Sequence, residues 1–319
     1  MTTCYTKFAS DLSRADPREF SSVEENEEFL RCLGVNQEMQ QLGRGEYLAN
    51  LAVRSYDGVE FFSDRFNVPL EMRLEPPPES VGILFPRTRS GRFLANGVDI
   101  GNNGILVLPP GACADLVVPA LVGSDNIAIS QDRFTELLQT LCPSLEGFDS
   151  SAILGGEPKA TEHLRASIVS ALTWYDGVDA EEALQYLLAT LFLALEVRSS
   201  VGSDTRLAPV ERAGIARLAE AYIHDNYRKK ICIEDVCREA GVGVRSVQRA
   251  FSDYFDVTFT EYLRVVRLNA LHRALRSANP VTASVAELAL DVGFTHLGRM
   301  SVEFRRHFGS SPRDVLREQ

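Results

Sequence analysis

Residues 284–308, SVAELALDVGFTHLGRMSVEFRRHF, decide how this chain is read. Ser284 followed three residues on by Glu287 is a helix-start signature, because hydroxyl and carboxylate each satisfy a free backbone N–H. Val285, Leu288 and Ala289 give the short helix one apolar face, and Gly293 supplies the left-handed residue that closes it. Leu297, Met300 and Phe304 then recur at helical spacing and predict a second helix with a buried back. Its polar set is His296, Arg299, Ser301, Arg305 and Arg306. A related unit stands at 233–255, IEDVCREAGVGVRSVQRAFSDYF. There Ile233, Val236 and Cys237 face inward, Gly241 ends the first helix, and Val247, Ala250 and Phe251 back the second. That leaves Arg245, Ser246, Gln248 and Arg249 on the outer face. Helix–turn–helix units of this kind offer polar side chains to base edges while the opposite face holds the fold.

Between the units, Thr258 with Glu261 caps a helix running to about Ser277, which joins them. Ser311 with Asp314 caps a last helix, where Pro312 takes the favoured first position. With a helix over roughly 210–227, the spacing predicts seven helices in an all-α domain over 210–319. Net charge is −11, which on its face argues against nucleic acid, but the sum hides an asymmetry. Residues 1–209 hold 16 Lys and Arg against 30 Asp and Glu, whereas residues 210–319 hold 17 against 14. Phosphate contacts need positive charge only where the duplex lies. An arginine on an amphipathic helix is ordinarily a solvated charge. Matched turns ahead of two outward faces reverse that reading for Arg245 and Arg249, while Arg305 and Arg306 suit phosphate contact and plain exposure equally.

Residues 210–319 resemble the DNA-binding domain of AraC/XylS-type transcriptional regulators. The resemblance is carried by GVGVRSVQRAF (241–251), F-x-EYLRVVRLNALHRAL (259–275), VAELALDVGF (285–294) and FRRHFGSSPRDVLR (304–317). It implies two recognition helices entering successive major-groove segments, with Arg245, Gln248 and Arg249 in the first and 296–302 in the second. Gly243, Asp256, Phe259, His296 and Gly298 depart from the family pattern, so the second helix's base preference does not follow from it. HLGR (296–299) and VRLNALHRAL (266–275), with a β segment ending ILVLPPGA (105–112), are similar to the ethanolamine-utilisation-regulator branch. The first unit is expected to read sequence through Arg245, Gln248 and Arg249. The second, with the better-capped first helix, is expected to grip through shape and phosphate.

Toward the N-terminus, residues 1–42 read as helical and acidic, around VEENEEFLRCLG. Over 45–130 short apolar or alternating runs are separated by Gly, Pro, Asn and Asp turns, the pattern of an all-β barrel or sandwich. From Gln131 the period becomes helical. Leu184, Leu187, Leu188, Leu191 and Leu195, with Phe192, form a stripe that suits either packing within the domain or a dimer seam. The Ser/Gly/Pro-rich stretch 199–209 marks the domain boundary. All five histidines lie beyond residue 142, so the barrel lacks the imidazoles of a cupin metal site, and no catalytic Ser/His or Cys/His pair is present. The six cysteines show no metal-ligand spacing and read as reduced. Arg54, Arg73, Arg87, Arg89, Arg92, Tyr47, Tyr56 and Phe93 are the candidate groups for an effector. TRSGR (88–92) reads as a charged hairpin or an anion site.

The expectation is therefore an α+β chain of two domains. Residues 1–200 form a cupin-like, metal-free β-barrel with flanking helices for sensing and dimerisation, 201–209 a linker, and 210–319 a double helix-turn-helix. With no secretory signal in MTTCYTKFAS and no membrane-spanning run, it reads as a cytoplasmic, non-enzymatic regulator without a cofactor. Its expected partners are double-stranded DNA, RNA polymerase and a second copy, with activation by a small molecule favoured by the resemblance. The alternative is a ligand-independent dimer whose β domain makes only protein contacts.

Overall fold

The structure, a computed structural model, describes residues 17–141, 151–155, 158–172, 185–186, 188–191 and 210–318. It divides into two compact units. The first comprises 1–39, 48–67 and 72–206, and the second 40–47, 68–71 and 207–319. The expected linker, 201–209, lies outside the described residues.

The first unit opens with strand β1 (Arg18–Phe20) and helix α1 (Val23–Cys32), whose N-cap Ser22 accepts a hydrogen bond from the Glu25 amide. The strands β3 (Ala49–Tyr56), β4 (Val59–Phe66), β6 (Ser80–Thr88), β9 (Gly104–Leu108), β11 (Val122–Ser130) and β12 (Ala152–Gly155) join β1 in a seven-stranded sheet, ordered β1-β3-β4-β11-β6-β9-β12. A five-stranded sheet is ordered β2-β5-β10-β7-β8, from β2 (Asn36–Gln41), β5 (Leu70–Glu75), β7 (Leu94–Ala95), β8 (Val98–Asp99) and β10 (Ala114–Val118). The two sheets do not close, so the expected barrel is corrected to an open pair of sheets. Pro76 and Pro77, which cannot donate to a ladder, carry the chain from β5 in one sheet to β6 in the other. Among the described residues, the short edge strands β1 and β8 each pair on one side only, with β3 and β7. A second correction concerns NQEMQQ at 36–41, read as part of a helical segment and found as β2.

Alternation along the strands settles the faces. Val59, Phe61, Ile127 and Ile129 pack under α2 (Gln131–Leu141) and α3 (Pro158–Ala171) in one core, which Leu188 and Leu191 also enter, fully buried. Those two members of the leucine stripe therefore serve packing within the unit; Leu184, Leu187, Phe192 and Leu195 lie outside the described residues. Pro86 is tolerated inside β6 because pairing with β9 has ended at Leu84↔Leu106, leaving no ladder bond to lose. Its carbonyl instead accepts from Arg165 Nη1. TRSGR forms the surface turn after β6, with Gly91 at φ 83 and Arg89 and Arg92 exposed.

The second unit holds seven helices among the described residues: α4 (Val210–Asn226), α5 (Ile233–Ala240), α6 (Val244–Phe255), α7 (Phe259–Ser277), α8 (Val285–Asp291), α9 (Leu297–Phe308) and α10 (Pro312–Arg317). Thr258/Glu261 and Ser311/Asp314 form reciprocal capping boxes as the sequence predicts. Ser284 is weaker than expected, accepting from the Glu287 amide at 3.5 Å. In the first helix-turn-helix the Asp235 carboxylate accepts from the Cys232 amide at 2.9 Å. The two starts are capped differently, by the Ser284 hydroxyl in one helix-turn-helix and by the Asp235 carboxylate in the other.

Segment 40–47 is built into this unit by hydrogen bonds. The Gln41 amide donates to Asn269 Oδ1 (3.1 Å), and Asn269 Nδ2 donates to Gln41 O (2.9 Å) and Val265 O (2.9 Å). The Gln41 side chain donates to Gly43 O, Gly45 O and His307 O. His307 Nε2 lies 3.0 Å from Gln41 O, so the neutral ring donates there, and burial pushes its pKa down to about 4.

Candidate nucleic-acid interface

The interface is built from the core outward. Phe251 packs on Phe255, Phe259 and Tyr262 with ring centroids 5.2–5.8 Å apart, fixing α6 to the start of α7. Phe259, a departure from the family pattern, fills this aromatic cluster and is buried. Val247, Ala250 and Phe251 are fully buried, and the same helix turns Arg245, Gln248 and Arg249 to solvent, with Ser246 half-buried. Asp256 ends α6 at φ 56, where glycine is the usual residue and Asp is among the side chains that tolerate the left-handed region.

In the second helix-turn-helix, Met300, Phe304 and Phe308 face Leu268, Leu271 and Leu275 of α7 and Val315 and Leu316 of α10. His272 lies against Phe308, centroids 4.5 Å apart, a packing role for that imidazole. Gly293, at φ 91, is required twice over. A Cβ there would also stand 2.8 Å from Tyr227 O and 3.0 Å from Arg267 Nε. Arg267 in turn donates to Tyr227 O and Lys229 O (both 2.8 Å), tying α7 to the loop after α4.

The outer face of α9 differs from that of α6. His296, Arg299, Ser301, Arg305 and Arg306 are all exposed, but Val302, 52% exposed, and Gly298, with open space beside its Cα, stand among them. Arg299 Nε is held by Glu303 at 2.8 Å, and the other Glu303 oxygen lies 3.3 Å from Arg264 of α7. Arg299 is thus pre-engaged, whereas no ion pair is recorded for Arg245 or Arg249 among the described residues. Helical spacing also places Ser252 and Asp253 beside Arg249 on the α6 face, which the sequence reading missed because it stopped at the arginines.

The effector candidates fall out differently. Of the eight, Phe93 alone lines the cavity of the first unit. Arg87 pairs with buried Asp125 at 3.2 Å and Arg73 donates to Cys113. Arg54 and Tyr47 are buried, Tyr47 in the second unit. Among the described residues, one group of potential metal ligands converges, Glu71, Glu220 and His224, in the second unit. The Tyr262 hydroxyl donates to Glu71 at 2.7 Å there, and burial, then the Glu71 charge, holds that phenol well above its usual range. No helix among the described residues is long and apolar enough to cross a membrane.

Comparison with known proteins agrees with this construction. Residues 236–318 match the helix-turn-helix domain family. A probable thc operon regulatory protein of Rhodococcus erythropolis is 35% identical over 104 residues, 33% of this chain and 31% of that protein. The XylDLEGF operon transcriptional activator of Pseudomonas putida is 32% identical over 97 residues, 30% of each chain. The transcriptional activator RhaS of Salmonella agona is 31% identical over 141 residues, 44% of this chain and 48% of that one. The first of these matches span about a third of the relatives' length. A solved regulator of the AraC family from Rhodopseudomonas palustris is 28% identical, covering 33% of this chain and 96% of that one with a TM-score of 0.31. By their names these relatives are an operon regulatory protein and two transcriptional activators.

Proposed function

We propose that this protein is a DNA-binding transcriptional regulator of the AraC/XylS type, whose second unit reads double-stranded DNA through α6 and α9. One observation carries the reading: two helix-turn-helix units, each with an apolar back and an outward basic face, share α7. Helix α6, with Arg245, Gln248 and Arg249, supplies base readout. Helix α9 supplies grip, with Gly298 and Val302 meeting the groove by shape and Arg305 and Arg306 meeting phosphate. His296, Arg299, Ser246 and Ser301 complete the contact set.

Activation is supported by relatives named as transcriptional activators, and contact with RNA polymerase and a cytoplasmic setting are proposed on the family resemblance. The ethanolamine-utilisation-regulator branch is proposed on HLGR and VRLNALHRAL alone. A homodimer is supported by exposed Val169 and Tyr186 on the helical segments beyond the sheets of the first unit. A small-molecule effector is supported by the apolar cavity between those sheets. The competing reading, a β unit that serves only protein contacts, predicts no ligand.

Genomic DNA fragments retained by the purified protein, sequenced with and without a metabolite extract, test the proposal. A recurrent motif whose retention falls with salt is expected. Retention without any motif would overturn specific recognition. A rise in melting temperature with the extract supports the effector, and its absence supports the competing reading.

A further inference from the structure

The cavity of the first unit lies between the two sheets and has a volume of about 70 Å³. One water needs roughly 10–15 Å³ on that scale, so a compact organic molecule of a few heavy atoms fits. Leu51, Phe62, Phe66, Met72, Phe93 and Leu116 give it apolar walls. Besides Asn26 and Gln37, the polar lining is a row on two adjacent strands, Asp64 of β4 opposite Ser124 of β11, with Asn126 one inward position along. Asp64 Oδ1 accepts from the Ser124 amide at 2.7 Å, Ser124 Oγ lies 2.9 and 2.8 Å from the two carboxylate oxygens, and Asn126 Nδ2 donates to Oδ2 at 3.0 Å. Asn126 Oδ1 is buried and accepts nothing.

What this row lacks is a cation. Among the described residues, no Lys, Arg or His lines the cavity. Arg87 is the positive group acting on Asp64, and its guanidinium is committed to Asp125, which points the other way from β11. Burial raises the Asp64 pKa to about 6 against the Ser124 hydrogen bonds, with Asp125 adding to the rise and Arg87 opposing it. At neutral pH the carboxylate is therefore charged in an apolar chamber. A buried charge that is hydrogen-bonded but has no counter-charge in its chamber is costly, and a counter-charge brought by a ligand lowers that cost.

We propose that the cavity binds a small cationic amphiphile, a primary or secondary ammonium on a compact apolar body, with its N–H groups on Asp64 and Asn126 Oδ1. The inference rests on the sensing role given above to the first unit. An alcohol of the same shape leaves the charge uncompensated, and a carboxylate is repelled by it.

The test is calorimetric titration of the full chain at neutral pH with n-butylammonium and benzylammonium, the matching alcohols butan-1-ol and benzyl alcohol, and butyrate and benzoate. An ammonium should bind at least about tenfold more tightly than its alcohol, and the carboxylates should not bind. Ammonium affinity should hold above pH 7 and fall about tenfold per pH unit below about 6, as Asp64 protonates. Asp64→Asn should erase the preference for ammonium over alcohol, with folding checked by circular dichroism. Asn126→Leu, which leaves the carboxylate in place, should weaken ammonium binding more than alcohol binding. An alcohol or carboxylate binding as tightly as the ammonium overturns the inference and leaves the cavity a sensor. If none of the six binds while a metabolite extract still raises the melting temperature, the inference falls alone. If neither happens, the sensing role falls with it.

Discussion

Asn269→Ala tests how the second unit is held together. The side chain, 8% exposed, bonds both backbone groups of Gln41 from a position 228 residues away in sequence. In the alanine variant Gln41 O keeps its bond from His307 Nε2, and Val265 O keeps its place in the helix. The Gln41 N–H keeps nothing. Gln41 is fully buried, so no water replaces the lost acceptor. An orphaned buried donor costs about 1–3 kcal/mol, and the small void beside it puts the loss in the upper half of that range, about 2–3 kcal/mol. Urea denaturation of the second unit should register that loss. Hydrogen exchange gives the local readout: since 1.4 kcal/mol is tenfold, protection across 40–47 should drop at least about 30-fold. A loss below about 0.5 kcal/mol, with unchanged protection over 40–47, is within ordinary surface-mutation scatter and would refute the docking of that segment on α7.

Other perturbations follow from the same geometry. His307 has its pKa lowered from 6.5 to about 4, so the unfolded chain binds the extra proton between those values. Its contribution is complete above pH 6.5 and lost as pH falls toward 4, about 3 kcal/mol in all, and His307→Gln should flatten that part of the stability–pH curve. Gly293→Ala should cost about 1–3 kcal/mol for φ alone, and more for its approach to Tyr227 O, read as a drop in the unfolding midpoint. Arg87→Met should cost about 3–5 kcal/mol by stranding Asp125 in the sheet interior. Restoration by Asp125→Asn in the double variant would identify the ion pair as the cause.

The helix-turn-helix units were legible because each depends on local rules. Apolar spacing, Gly241 and Gly293 as helix stops, and hydroxyl–carboxylate pairs at helix starts all act within a few residues. Strand β2 escaped because NQEMQQ shows no apolar alternation; Gln41 is buried through bonds to residues 228 and 266 positions away. The polar row in the cavity escaped for a related reason. Ser124 falls at Gly123-Ser124-Asp125, between short apolar runs where a turn is expected, and only the pairing with β4 makes it the middle of β11. The Cys232 cap was hidden because cysteine is not among the preferred cap residues. On α9, Gly298 and Val302 stand exposed among the arginines, as the composition of that helix suggests.

The central claim is that α6 reads sequence, and Arg249→Ala addresses it most directly. Binding of wild-type and variant should be measured on the fragment the protein retains and on random DNA of equal length and salt. The account predicts a loss of about 1–3 kcal/mol on the specific fragment, with binding to random DNA little changed. An equal loss on both would make Arg249 a phosphate contact and contradict readout by this helix.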